Sequence, residues 1–215
     1  MKIAIIGTGN VGTRLARLFA LANHEVIIGS RNQQRALEIA VAMGTNIEGS
    51  TYRQAAYDAP VIVIATPWSE NATIETVLEL GDLAGKVVVD CTNPLASDYM
   101  SNTLGYTTSS SEEIAKLIPH AKVVKAFNTI FARIMEPGKQ TFGTHRGTGF
   151  YCGDDSAAKE IVKRLIDDAG FEPVDVGVLK NARYLEPMAQ LNIQIAYGLG
   201  GGTEVAFRYM RREAA

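Results

Sequence analysis

The sequence predicts an α/β fold: a doubly wound, parallel sheet covered by helices on both faces, with a small helical annex at the C-terminus. Two observations carry this prediction. Short β-branched runs alternate with helical patterns along the chain, and several runs are apolar throughout, as in Val-Ile-Val-Ile-Ala at 61–65. Unbroken apolar runs are typical of strands buried on both faces of a parallel sheet. The alternation of strands with helices indicates that the sheet is doubly wound.

The elements follow one another in a regular order. Strands are predicted at residues 2–6, 25–28, 61–65, 87–90, 122–126, 150–153 and 172–176. Helices are predicted near 11–21, 33–43, 52–58 and 69–80. Ser110 and Glu113 form a capping-box pattern that opens a further helix. Asp154 or Asp155 caps another helix, between the last two strands.

The chain divides into a nucleotide-binding domain at 1–178 and a C-terminal segment at 179–215. The segment is predicted to contain helices at 181–198 and 204–212, separated by a run of glycines. Two irregular stretches rich in Thr, Ser and Gly are long enough to serve as lids or binding loops: 94–109 and 136–148.

Composition and charge exclude several classes of protein. The 215 residues are 47% hydrophobic and 20% charged, which excludes global disorder. A net charge of −2 gives no basic surface for nucleic acid or an anionic membrane, and no stretch is apolar enough to span a bilayer. Two cysteines, Cys91 and Cys152, predict neither a disulfide framework nor a zinc site. We therefore expect a cytoplasmic protein without a signal peptide, a metal, a membrane partner or a nucleic-acid partner.

A glycine motif follows the first predicted strand. Gly7-Thr8-Gly9-Asn10-Val11-Gly12 has the G-x-G-x-x-G spacing and lies directly between an apolar strand and a helix, the context of dinucleotide binding in the Rossmann fold. Gly7 permits the tight turn, Gly9 lets a pyrophosphate approach the backbone, and Gly12 lets helix and strand touch. The helix N-terminus offers N–H groups to the phosphates. The motif therefore predicts NAD(P) binding by five residues: Gly7, Thr8, Gly9, Asn10 and Val11.

The end of the second strand indicates which dinucleotide is bound. An NAD site places Asp or Glu about 20 residues beyond the motif, where the carboxylate binds the ribose hydroxyls. This chain has Ser30, Arg31 and Asn32 there, followed one helical turn later by Arg35, and no carboxylate at the strand end. Ser30 and Asn32 can hydrogen-bond a 2′-phosphate, and the two guanidinium groups can bind it and stack on adenine. The sequence therefore predicts NADP(H), with a solvated basic helix start as the competing interpretation.

Further motifs resemble a known family. They are the glycine motif, Gly-Ser-Arg-Asn at 29–32, Thr-Pro-Trp at 66–68, Lys-Ala-Phe-Asn-Thr-Ile at 125–130 and Cys-Gly-Asp-Asp at 152–155. Together they resemble the NADP oxidoreductases dependent on coenzyme F420, over essentially the whole chain. They are also similar to the cytosolic reductase domain of the STEAP metalloreductases. The resemblance implies hydride transfer between NADP(H) and a deazaflavin (coenzyme F420) or a flavin (FAD or FMN), in a homodimer.

The resemblance also implies roles for individual residues. Three would flank the nicotinamide ribose: Ala65, Thr66 and Pro67. The carboxamide would lie in the loop that holds Asn128 and Ile130. Five would line the pocket of the small-molecule redox co-substrate: Trp68, Asn93, Pro94, Leu199 and Gly201. No catalytic acid or base is predicted, because hydride transfer between rings needs proximity, stacking and exclusion of water.

Two departures separate this chain from the deazaflavin enzymes. Those enzymes carry His where this chain has Asn128, and they lack the run Cys-Thr-Asn-Pro at 91–94. At both places the chain is more similar to the STEAP branch, which passes hydride from NADPH to FAD but carries a transmembrane haem domain absent from this sequence. The acceptor is therefore open between deazaflavin and flavin. The motifs are also compatible with two other functions: reduction of imines or carbonyls, and sensing of NADP by binding without turnover.

Overall fold

Ten strands are present in the computed structural model, which describes residues 1–44 and 46–212. They are β1 (Lys2–Ile6), β2 (Glu25–Ser30), β3 (Ile47–Thr51), β4 (Val61–Ile64), β5 (Val87–Asp90), β6 (Lys122–Ala126), β7 (Thr141–Phe142), β8 (His145–Arg146), β9 (Thr148–Gly153) and β10 (Glu172–Asp175). Strands β7 and β8 pair only with each other, as a separate antiparallel hairpin.

Seven α-helices lie within the same residues. They are α1 (Asn10–Leu21), α2 (Gln33–Met43), α3 (Tyr52–Asp58), α4 (Glu70–Glu79), α5 (Ser110–Leu117), α6 (Ser156–Asp168) and α7 (Ala182–Ile193). A turn of π-helix, Gln194–Gly198, continues α7. In the part of the chain that is described, no helix has the length and apolar character needed to cross a bilayer.

The eight longer strands form one sheet in the order β10-β9-β6-β5-β4-β1-β2-β3. Strands β1 to β6 are parallel to one another, whereas β9 runs antiparallel to β6 and parallel to β10. The order 3-2-1-4-5-6 of the first six strands is that of the doubly wound Rossmann fold, which confirms the predicted fold class. In such sheets ligands bind beyond the carboxyl ends of the strands, where the order reverses between β1 and β4.

Both faces of the sheet are buried, as its apolar strands predict. Along β1, Ile3 and Ile5 belong to one core cluster with Phe19 of α1. Ala4 and Ile6 belong to a second cluster, on the opposite face, with side chains of α3, α4 and α5. Each fully buried aliphatic side chain contributes about 1.5–3 kcal/mol to folding. The two clusters stabilise the sheet, and the sheet in turn determines where the loops at its carboxyl end lie.

Two local predictions are wrong for reasons visible in the structure. The predicted strands omit β3, because Glu48, Gly49 and Ser50 lack the apolar character of the other strands; β3 lies at the edge of the sheet and is covered less. Residues 203–212 form no helix. The tail is held in an irregular course by Thr148, whose backbone N–H donates to Phe207 O at 2.9 Å. Tertiary contacts thus override a modest local preference for helix.

The cap of α5 is displaced by one residue from the predicted capping box. Ser109, not Ser110, is the N-cap: its Oγ accepts from the Glu112 N–H at 3.2 Å and donates to the Glu112 carboxylate at 2.8 Å. Asp155 caps α6, as predicted, by accepting from the Ala158 N–H at 2.8 Å. Because Ser109 is the cap, the Ser110 hydroxyl is free to contact Lys125 and Glu186.

Candidate functional site

The glycine turn between β1 and α1 lets other parts of the backbone pack closely against it at two glycines and leaves open space at a third. Gly7 has φ +121°, and a Cβ there would lie 2.7 Å from the carbonyl oxygen of Ala65. A Cβ on Gly12 would lie 2.2 Å from the carbonyl oxygen of Gly7. At Gly9, by contrast, a Cβ would meet no described atom within 4 Å. Gly7 and Gly12 are therefore needed for packing within the protein, whereas the space at Gly9 is open to a ligand.

The N-terminus of α1 differs from those of the next five helices. In α2 to α6 the N-cap side chain accepts a backbone hydrogen bond from the first turn; these N-caps are Asn32, Thr51, Ser69, Ser109 and Asp155. The N-cap of α1 is Gly9, which has no side chain, and its first turn carries no acidic residue. The first N–H groups of α1 and the positive end of its dipole are thus available to a bound anion.

A cavity of about 410 Å³ extends from this turn to the end of β2. Arg31 and Arg35 line it together with the glycine turn, and none of the lining residues that the structure describes is acidic. Tyr52 is 5% exposed and lines the same cavity. Burial raises the pKa of the Tyr52 phenol, and the nearby Arg31 opposes that rise only in part. The phenol therefore stays neutral, and the cavity carries the two positive charges that a 2′-phosphate requires.

Ser30 and Asn32, predicted to bind the 2′-phosphate, make contacts within the turn in this structure, and their role in binding stays a prediction. The Ser30 Oγ accepts from the Asn32 N–H at 3.2 Å, and the Asn32 side chain caps α2 by accepting from the Arg35 N–H at 3.2 Å. Neither residue lines the cavity. Their contribution in this structure is to set the course of the chain between Arg31 and Arg35.

A second cavity, of about 630 Å³, adjoins the first and shares five lining residues with it: Gly9, Ala65, Thr66, Pro67 and Ser69. It is also lined by Asn10 and Val11, which the glycine motif predicts to bind NAD(P), and by Trp68 and Asn93, which the resemblance places at the acceptor. The Thr66 Oγ1 is buried between the cavities and has no hydrogen-bond partner among the described residues. The two cavities form a cleft along the carboxyl ends of β1, β2, β4 and β5, which fits an extended dinucleotide.

Asn93 and Asn128 bond to each other across the ends of β5 and β6. The Asn128 Nδ2 donates to the Asn93 Oδ1 at 2.9 Å and to the Leu185 carbonyl at 3.0 Å. The Asn93 Nδ2 donates in return to the Asn128 backbone carbonyl at 2.9 Å. The preceding residue, Phe127, has φ +63°, which is strained for a bulky side chain. The loop after β6 is thus held in an unfavourable backbone conformation by this amide pair and by α7.

The remaining predicted residues lie outside the walls of the cleft. Pro94 and Ile130 are buried, and Ile130 belongs to the main core. Leu199 is 82% exposed. Gly201 is exposed, and its N–H donates to the Ile195 carbonyl at 2.9 Å. Their roles in binding stay predictions.

A third cavity, of about 520 Å³ and largely apolar, lies next to the second and shares Tyr99 with it. Its other walls are Asp98, Met100, Phe131, Ile193 and Tyr197. The Phe131 and Tyr197 rings meet edge to face, with centroids 6.1 Å apart. A larger, polar cavity near β10 contains none of the predicted site residues.

A buried charged cluster at the carboxyl ends of β5 and β6 is not among the predicted features. Lys125 Nζ lies 2.9 Å from Asp90 Oδ2 and 2.8 Å from Glu186 Oε1, and all three side chains are at least 98% buried. Burial acts to lower the pKa of Lys125, but Asp90 and Glu186 outweigh it and raise that pKa. Burial acts to raise the pKa of Asp90, but Lys125 and the hydrogen bonds from Ser111 and Thr92 lower it. Lys125 and Asp90 are therefore both charged.

Comparison with known proteins identifies the family. A family model described as "NADP oxidoreductase coenzyme F420-dependent" matches residues 2–94. The F420-dependent NADP reductase of Methanothermobacter marburgensis is 32% identical over 211 residues, which cover 91% of this chain and 92% of that protein. The chain belongs to the F420-dependent NADP oxidoreductase family. It is an NADP-dependent oxidoreductase.

Solved structures agree with this assignment. An Arthrobacter sp. FB24 crystal structure, provisionally described as an F420-dependent NADP reductase, superimposes with a TM-score of 0.86 at 31% identity, covering 98% of this chain and 100% of the other. A reductive aminase from Aspergillus terreus, solved with NADPH, matches with a TM-score of 0.65 over 94% of this chain and 62% of the other. At 19% identity, that second match shows the fold alone.

The STEAP resemblance is also confirmed. The metalloreductase STEAP3 of Rattus norvegicus is 31% identical over 186 residues, which cover 86% of this chain. The chain spans 36% of the length of that protein. The similarity therefore concerns one part of STEAP3, and the activity of the whole metalloreductase does not transfer with it.

Proposed function

We propose that this oxidoreductase transfers a hydride between NADP(H) and a planar ring acceptor, which is the deazaflavin coenzyme F420 or a flavin. The observation that carries the proposal is the adjacency of two different cavities. The NADP(H) cleft is lined by the glycine turn and two arginines, and the apolar third cavity meets it at Tyr99. Relatives that align with this chain over about nine-tenths of both lengths are named F420-dependent NADP reductases.

On the NADP(H) side, the residues of the protein bind the dinucleotide and orient it. The open space at Gly9 and the uncapped start of α1 receive the pyrophosphate, and Arg31 with Arg35 bind the 2′-phosphate. Thr66 lies in the shared wall with a buried hydroxyl that no described residue pairs, and the nicotinamide ribose can satisfy it. When bound, NADPH supplies the hydride from its nicotinamide ring.

On the acceptor side, the apolar walls exclude water and hold a ring. Tyr99, Phe131 and Tyr197 offer aromatic surface, and the Phe131–Tyr197 contact restricts both side chains. Rate acceleration then comes from proximity and orientation of two rings, which needs no acid or base in the protein.

A flavin is the second candidate acceptor, and one observation favours it. The two places where the sequence departs from the deazaflavin enzymes, Asn93 and Asn128, are in mutual contact through two hydrogen bonds. They therefore form one structural unit beside the second cavity, which Asn93 lines, and both positions are similar to the STEAP branch. The identity of the acceptor is decided by assay.

The test is oxidation of NADPH by the purified protein, followed at 340 nm with coenzyme F420, FMN, FAD and a cyclic imine in parallel. We expect turnover with F420 or with a flavin. A Tyr197→Ala variant should raise the KM for that acceptor, whereas Tyr57→Ala, a similarly exposed tyrosine on α3, should not. Turnover with the imine alone contradicts the proposal. Binding of NADPH without any turnover makes the chain a sensor.

We further propose a homodimer that forms through α7. Tyr184 and Leu191 of α7 and Ile195 of the π-helical turn that continues it recur at helical spacing and are 68%, 52% and 37% exposed. Such a stripe is typical of a surface that is covered in an assembly. Light scattering should give twice the mass of the chain, and Leu191→Asp should halve it. A monomeric unmodified protein contradicts the dimer.

A cytoplasmic location is also proposed. Cys91 and Cys152 are both free and buried in the structure. Burial raises the pKa of the Cys152 thiol to about 12, so the group stays a protonated, unreactive thiol. Free thiols are usual in a reducing compartment.

A further inference from the structure

One ammonium group joins the two ends of the loop that carries Tyr99. Thr92, the residue before the loop 93–109, accepts a hydrogen bond from Lys125 Nζ through its carbonyl at 2.6 Å. Ser110, the residue after the loop, has its Oγ 2.8 Å from the same Nζ. The Thr92 hydroxyl also donates directly to the Ser110 Oγ at 3.0 Å. The loop is therefore closed at its base by the direct Thr92–Ser110 bond and by two contacts that meet at Lys125 Nζ.

The same ammonium also holds α7. Glu186 Oε1 lies 2.8 Å from Lys125 Nζ and accepts from both the backbone N–H of Ser110, at 2.9 Å, and its hydroxyl, at 2.6 Å. Ile193 and Tyr197 follow Glu186 by about two and three helical turns on the same continuous element. Lys125 is thus bonded to the base of both walls of the acceptor cavity.

The phosphate-binding end of the NADP(H) cleft is built from other elements, although Asn93 and Tyr99 of the loop 93–109 line its second cavity. The glycine turn lies between β1 and α1, and the two arginines lie after β2; none of these residues bonds to Lys125, Asp90 or Glu186 in the part of the chain that is described. A change at Lys125 should therefore affect the two halves of the site unequally. This inequality separates a specific role from a general loss of stability.

We propose that Lys125 is a positioning residue for the hydride acceptor: it holds the loop 93–109 and α7 in fixed relation, so that Tyr99 and Tyr197 face each other across the acceptor cavity. Lys125 is fully buried and does not reach a ligand itself. The proposal rests on the proposed function for the identity of the ligand, but its structural part can be tested without any acceptor.

The test combines hydrogen exchange with binding. In Lys125→Met, we expect amide exchange in residues 93–109 to accelerate at least tenfold, while exchange in α2, on the NADP(H) side, changes less than twofold. The Kd for NADPH should stay within threefold, and the KM for the acceptor identified by assay should rise at least tenfold. Glu186→Gln keeps the shape of the side chain and its bond from the Ser110 N–H, so the same changes should appear in weaker form.

Two comparisons make the outcome decisive. Removing one partner of a buried ion pair is strongly destabilising, so if Lys125→Met fails to fold, Glu186→Gln carries the test alone. The control is His24→Gln: His24 is buried near the amino end of β2 and bonds to Asp168 at 2.9 Å, at the opposite end of the sheet. Unchanged exchange in 93–109 in both cluster variants, or equal acceleration in the His24 variant, overturns the proposal. The exchange result stands even if no acceptor is turned over, so failure of the proposed function is distinguishable.

Discussion

Arg31→Ala should weaken NADPH binding at least tenfold while leaving NADH binding almost unchanged. Arg31 lines the cavity at the end of β2, and no described lining residue is acidic. A charge-assisted hydrogen bond contributes about 1.5–3 kcal/mol, which corresponds to roughly tenfold to hundredfold in affinity. NADH lacks the 2′-phosphate and should not lose this contribution. The Kd values for NADPH and NADH can be measured by quenching of the protein fluorescence or by the fluorescence of the reduced nicotinamide. Their ratio gives the preference for NADPH directly.

The matched control is Arg53→Ala, which removes an exposed arginine on α3 outside the cavity. It should leave the ratio of the two affinities unchanged. An equal loss of NADPH and NADH affinity in Arg31→Ala would show that the arginine does not bind the 2′-phosphate. In that case the preference for NADP(H) would have to arise elsewhere in the cleft.

Gly9→Ala should lose affinity for NADPH and keep its stability, whereas Gly12→Ala should lose stability. At Gly9 a Cβ meets no described atom within 4 Å, and φ is −80°, so alanine fits the protein at a cost below about 1 kcal/mol. The new methyl group occupies the space of the pyrophosphate, and the affinity for NADPH should fall about a hundredfold, roughly the loss of two hydrogen bonds to a charged group. At Gly12 a Cβ lies 2.2 Å from the Gly7 carbonyl oxygen. There we expect a loss of stability of about 3 kcal/mol.

Urea unfolding and NADPH titration of both variants measure the two effects separately. A Gly9 variant that binds NADPH normally would mean that the pyrophosphate does not approach the backbone at this turn. A Gly9 variant as unstable as the Gly12 variant would mean that the space beside Gly9 is filled by the protein itself. Either result contradicts the assignment of the turn as a phosphate site.

The parts of the site that follow from local sequence were predictable. A strand, a tight turn and a helix occupy consecutive residues, so the spacing of Gly7, Gly9 and Gly12 determines the geometry of the turn almost alone. Arg31 follows β2 directly, and its place at the carboxyl end of the sheet follows from the parallel order. The contacts of Ser30 and Asn32 within the turn were harder to predict, because the same side chains can bind a phosphate or stabilise a turn or a helix start.

The parts that depend on distant residues were not predictable in full. Asp90 and Lys125 are paired in register on neighbouring strands, and a charge at the end of each of two apolar strands is a signal that sequence reading can find. Glu186 is different, because nothing in the local pattern of α7 indicates that its carboxylate reaches the ends of β5 and β6. The course of residues 203–212 likewise depends on contacts with Thr148 that helical periodicity does not encode.

Direct transfer between two rings is the central claim, and isotope transfer tests it most directly. NADPH doubly deuterated at C4 of the nicotinamide is mixed with the protein and coenzyme F420, and the reduced deazaflavin is analysed by mass spectrometry. The hydride is received at a carbon of the deazaflavin, from which it does not exchange with water. We expect one deuterium in each reduced deazaflavin. Reduced deazaflavin that carries only solvent hydrogen would contradict direct transfer, and with it the arrangement of the two cavities as donor and acceptor sites.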